Sequence, residues 1–114
     1  MNESILISIK KLVGIAEEDP SFDPDMIMHI NSIFIVLWQM GVGPVRPFKI
    51  TGPDETWSDF QEDLSEIEMI KTYMGLRVSQ IFDPNQSNAV NESQKNLINE
   101  LEWRLYTAAE SDII

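Results

Sequence analysis

The stretch GVGPVRPFKITGPDETW, residues 41–57, cannot be helix. It holds three of the chain's five glycines and three of its six prolines, and these two residue types interrupt helices most strongly. Any fold must therefore be assembled from helical pieces on either side of it. Pro44 and Pro47 stiffen the segment, FKI (48–50) reads as a short strand and TGPD as the turn after it. Helix-free segments longer than about 12 residues in a compact domain are usually functional or disordered. Phe48, Ile50 and Trp57 argue against disorder, because they give the segment something to pack. Arg46 and Lys49 make its tip locally basic.

The flanks read as helix. Residues 3–13 place Ile5, Ile9, Leu12 and Val13 on one face, and Gly14 suits a C-terminal cap. After the loop AEEDPSFDPD, Asp23 is expected as N-cap, with Pro24 at the first helical position and Asp25 in the first turn. The second helix runs from Pro24 to about Met40. Met26, Ile27, Ile30, Ile33, Phe34, Leu37 and Trp38 form its stripe, while Met28 and Ile35 fall opposite. A helix apolar nearly all round is central in its domain or shared with a neighbour.

Past the interruption, TWSDF fits one helical turn. A third long helix spans about Gln61 to Phe82, with Ile67, Ile70, Met74, Val78 and Ile81 inward, and Asp83-Pro84 stops it. The last begins near Ser87 or Asn88 and reaches about Tyr106, on a stripe of Val90, Leu97, Ile98, Leu101 and Leu105. Residues 107–114 read as a frayed, flexible tail. The expected fold is mainly α: a small bundle of four to five helices in one domain (1–114), with a long loop or short β-hairpin at 42–56.

At 114 residues the chain makes one core, and the absence of cysteine removes disulfides and thiolate metal sites and suits a reducing compartment. The two lysines at the N-terminus follow the apolar residues instead of preceding them, so no secretory signal is predicted. The longest strongly apolar run, IFIVLWQM, is far below the roughly 20 residues of a membrane span. A net charge of −11 repels phosphate backbones, which makes duplex DNA a poor tight ligand.

Motifs for chemistry fail on inspection. Asp19, Ser21 and Asp23 have the alternate spacing of a calcium loop, but Pro24 stands where the loop needs glycine and Ile30 where it needs glutamate. GVG lacks the third glycine of a dinucleotide loop. His29 is the single histidine and fits a packed, hydrogen-bonded role. Carboxylate pairs such as Glu62 and Glu66 carry no mark of burial. Neither an enzyme nor a cofactor is expected.

Two features stand apart from plain core. Trp103 projects nearly opposite Leu101, with Tyr106 one turn along and Asn96 and Asn99 beside it. In EWRLY, Trp103, Arg104 and Tyr106 supply the three residue types that concentrate binding energy at interfaces. Arg77 falls in an apolar stripe, so it either snorkels outward or pairs with a carboxylate.

The segments ESILISIKKLVGI, SFDPDMIMHINS, QMGVGP followed by TWSDF, IKTYMGLRVSQIFDP and LEWRL, in that order, resemble the small head–tail connector (adaptor) proteins of tailed phages and prophages. The resemblance implies a helical protein in the virion neck, assembled in the host cytoplasm as a ring, commonly of twelve copies, below the portal protein, from subunits that can be monomeric in isolation. Such a ring extends the DNA channel without binding DNA specifically and supports the next neck (stopper) protein. By position, Trp103, Arg104 and Tyr106 would contact portal or neighbouring subunits, and Arg46, Phe48, Lys49 and Ile50 would make loop contacts. The alternative is an acidic helical regulatory module, a DNA mimic or antitoxin-like partner, that captures a basic protein.

Overall fold

The computed structural model describes residues 3–61, 66–82 and 88–113. It contains α1 (Ile5–Val13), α2 (Asp23–Gln39), the single turn α3 (Trp57–Phe60), α4 (Ile67–Phe82) and α5 (Asn88–Ile113), and no strand among the described residues. The chain is mainly helical, as its periodicity predicts. α4 is the hub, packed on α1, α2 and α5. Ile9, Met26, Ile30, Leu37, Ile70, Met74 and Val78 are fully enclosed where these helices meet.

Local chemistry sets the helix ends. The Ser4 hydroxyl caps α1 by accepting from the Ile7 amide at 3.3 Å, and Gly14 closes it at φ 84°. Asp23 does not cap α2. It is the first helical residue, behind Phe22, and its carboxylate turns to the Lys10 ammonium 2.9 Å away. That ammonium, on a side chain only 2% exposed, also donates to the carbonyls of Glu17 (3.0 Å) and Asp19 (2.7 Å), so one lysine ties α1 to the loop and to the start of α2. Burial of such a charge is tolerated because each donor finds an oxygen. α3 carries a full capping box, in which Thr56 and Asp59 serve each other's backbone amides.

The faces differ from expectation at several points, among them Leu97, expected inward on α5 and 39% exposed. Leu12 is 57% exposed, since α1 turns Leu6 and the Lys10 stem inward, and the Leu12 side chain lies instead against Gly75 of α4. Ile81 is 48% exposed, while Tyr73, absent from the expected face, is fully buried. The frayed tail is not observed: α5 continues to Ile113, favoured by Ala108 and Ala109, with Ala109 buried beside Gly41. Glu62, Asp83-Pro84 and the Val90 side chain lie outside what the structure describes.

Residues 42–56 form a long loop and not a hairpin. The backbone at Ile50 is held by one side chain: Asn31 Nδ2 donates to the Ile50 carbonyl (3.0 Å) and Asn31 Oδ1 accepts from its amide (2.7 Å). A carboxamide offers one donor and one acceptor in a plane, as a peptide group does, so Asn31 stands in for the strand partner the segment lacks. The far end is stitched to the start of the chain by a bridge between Ser4 and Thr56, with Ile5 N donating to Glu55 O and Trp57 N to Glu3 O.

Candidate functional site

The outer side of α5 exposes the aromatic rings singled out in EWRLY. Trp103 is 67% and Tyr106 48% exposed, on a helix whose opposite side buries Ile98, Leu101 and Leu105 in the core. Apolar rings of this size in open solvent are unusual unless something covers them. Arg104, also exposed, forms a 3.0 Å ion pair with Glu100 one turn back. Both groups are more than half in water, so the pair contributes little and is readily exchanged.

Arg77 belongs to a different structure. Its guanidinium donates to the Tyr73 hydroxyl at 2.7 Å and lies 3.4 Å from Glu102, while Tyr73 donates to the same carboxylate at 2.7 Å. The guanidinium also sits over the Tyr73 ring, 5.7 Å from its centre. Burial, reinforced by the Glu102 carboxylate, pushes the Tyr73 phenol up to about 12. The cluster fastens α4 to α5 through Glu102, the residue next to Trp103 in the chain.

The loop divides into an inner and an outer part. Ile50 is 1% exposed, and Phe48 is packed edge-on against Phe34 (ring centres 5.2 Å apart) and Phe60 (5.6 Å). Two of the four residues expected as loop contacts are thus turned toward the chain's own core, Ile50 buried in it and Phe48 partly buried against it. Arg46 and Lys49 remain exposed. Gly43 makes the fold of the loop possible: at φ 95° a Cβ there would lie 2.6 Å from the Phe60 ring. The turn at 51–55 is closed by Glu55, whose carboxylate accepts from the Thr51 hydroxyl (2.7 Å), the Thr51 amide (2.9 Å) and the Gly52 amide (3.3 Å). The Thr51 hydrogen bond holds that carboxyl below its ordinary value.

The calcium-like spacing is consumed within the fold. Asp19 is engaged by Ser21, whose side chain first and whose amide at 3.0 Å second lower its carboxyl, and Asp23 faces Lys10. Among the described residues no cluster of histidine and carboxylates could hold a metal ion, and no helix is long and apolar enough to cross a membrane. His29 is half-buried on α2.

Sequence reasoning passed over Trp38. Its spacing predicts a place in the core stripe, yet it is 42% exposed and its indole N–H donates to the carbonyl of Val45 at 2.8 Å. The available signal was the proline pair at 44 and 47, which bends the loop back over the end of α2.

The family model described as phage connector protein matches residues 5–112 of the chain, covering every helix from α1 to nearly the end of α5. No curated protein and no solved structure matches it.

Proposed function

We propose a structural role in virion assembly for this chain, which belongs to the phage connector protein family. In this reading it is the head–tail adaptor: copies form a ring below the portal protein, extend the DNA channel and carry the next neck protein. The observation that carries the reading beyond the family is the display of Trp103 and Tyr106 on the outer side of α5, over a helix pair locked by Tyr73, Arg77 and Glu102. A rigid, aromatic, partly charged surface is what docking uses, because little side-chain freedom remains to be lost. The acidic balance of the chain, −11, suits a wall past which DNA slides without adhering. The neck of the virion is then its working location, reached by assembly in the host cytoplasm. The role is architectural and needs no cofactor.

The test uses DNA-filled heads that carry portal but no connector. Adding the purified chain should place a ring of density at the portal vertex, and Trp103→Ala should reduce occupancy about tenfold, the size expected of one interface anchor. A vertex left bare by the unmodified chain overturns the reading.

A further inference from the structure

Between Met26 and Val45 the chain has no aspartate, glutamate, lysine or arginine, although such residues make up 24% of it. α2 occupies most of that stretch, and its outer side shows Met28, Ile35 and Trp38, 56, 47 and 42% exposed. Helical spacing sets the three side by side. Val45, 93% exposed, extends the patch and is held there by the hydrogen bond from Trp38. The same bond fixes the indole before any partner arrives, so covering it sacrifices little freedom. Arg46 follows Val45 directly and Lys49 comes shortly after, both exposed and with no ion-pair partner among the described residues.

The acidic residues are concentrated elsewhere. Twelve of the nineteen lie in residues 17–25 and 54–68. Two copies that each carry −11 repel, so a contact between them must use surfaces where the local charge is low or complementary. Two faces qualify. One is the uncharged side of α2. The other is the outer side of α5, where Trp103 and Tyr106 are flanked by Asn96 and Asn99 and by the exposed carboxylates of Glu92 and Glu100. α4 packs between α2 and α5, so the two faces look out in different directions from one molecule.

We infer that copies of this chain join head to tail, the α2–Val45 patch of one covering Trp103 and Tyr106 of the next. Arg46 and Lys49 then reach the Glu92 and Glu100 carboxylates of that next copy. The occupant is a second copy because the two faces complement each other: apolar centre against apolar centre, unpaired cations against carboxylates. A contact between two different faces repeats around a closed ring, whereas a contact between two α2 faces stops at a dimer and sets Arg46 and Lys49 against themselves. The inference rests on the ring reading above and assigns its subunit interface.

The chain has no cysteine, so introduced ones report cleanly. Val45→Cys and Asn99→Cys, both at exposed positions, are made singly and together and oxidised at millimolar concentration. An equal mixture of the single variants should form the mixed disulfide at least tenfold faster than either variant pairs with itself, and the double variant should give a ladder of oligomers. Arg46→Glu with Lys49→Glu should slow the mixed cross-link about tenfold, and adding Glu92→Lys with Glu100→Lys on the opposite copy should restore it. Self-pairing of Val45→Cys as the dominant product overturns the head-to-tail arrangement. Oligomers of unchanged size with no mixed cross-link overturn the surface assignment and leave the adaptor reading standing. A chain that gives no mixed cross-link even when bound at portal-bearing heads overturns the interface, while the ring itself is judged separately by the density at the portal vertex.

Discussion

The hydroxyl of Tyr73 donates a 2.7 Å hydrogen bond to the carboxylate of Glu102, and in the same cluster it accepts one from Arg77. This places a phenol with a folded-state value of about 12, against an ordinary 10.0, at the seam between α4 and α5. A raised value means that the folded state holds the proton more tightly than the unfolded chain. The stability it contributes is fully present below pH about 10 and is lost as pH climbs toward about 12. In a Tyr106→Phe background Tyr73 is the single tyrosine, and its ultraviolet titration should centre near 12 with unfolding in the same range. Tyr73→Phe should lower stability by about 1–3 kcal/mol, measured by urea unfolding, because it leaves Glu102 and Arg77 with poorer partners.

Asn31→Ala removes both hydrogen bonds to the Ile50 backbone and leaves a nearly buried amide and carbonyl without partners. A loss of about 2–4 kcal/mol is expected from two unmade hydrogen bonds. Asn31→Asp keeps the acceptor and loses the donor, so it should fall between Ala and the unmodified chain at neutral pH. Equal stability for all three proteins would refute the role given to this carboxamide.

Gly43→Ala meets two penalties at once, a positive φ of 95° and a Cβ 2.6 Å from the Phe60 ring. The backbone term alone is about 1–2 kcal/mol. Displacing Phe60 disturbs its stacking on Phe34, whose centre is 4.9 Å away. Thermal unfolding should show a drop well beyond that of Gly52→Ala, where nothing lies within 4 Å and φ is ordinary.

Removal of residues 44–54 should unfold the protein. From sequence that deletion should spare the helical fold and harm only assembly, since the segment reads as an excursion, but Ile50 sits within the core cluster and Phe48 packs against it. Arg46→Glu with Lys49→Glu touches only the exposed edge and should leave stability within about 0.5 kcal/mol. Circular dichroism of both variants separates the inner part of the loop from the outer one.

Much of the helix order was legible because apolar spacing, Gly14 and TWSDF are local signals. The exposure of Trp103 was legible for the same reason, being fixed by its angle from Leu101. The rotation of α1 was not. Its apolar residues satisfy more than one face, and the choice depends on the niche at Gly75, more than sixty residues away. Asn31 gave no hint of its target, since a lone amide on an apolar helix does not announce which backbone group 19 residues later it will hold. The inward turn of Phe48 and Ile50, two of the four residues expected to make loop contacts, was not legible, because aromatic and branched side chains in a non-helical segment look alike whether they anchor it inward or display it.

An extended stretch of chain normally offers its amide groups as a template on which another molecule can lay a strand. Wherever many copies of a chain gather, such templates nucleate stacking into fibres. By engaging the amide and carbonyl of Ile50 with a side chain from its own helix, Asn31 withdraws that invitation. The loop can thus stay extended, and its cationic tip exposed, without becoming the edge of an unbounded sheet.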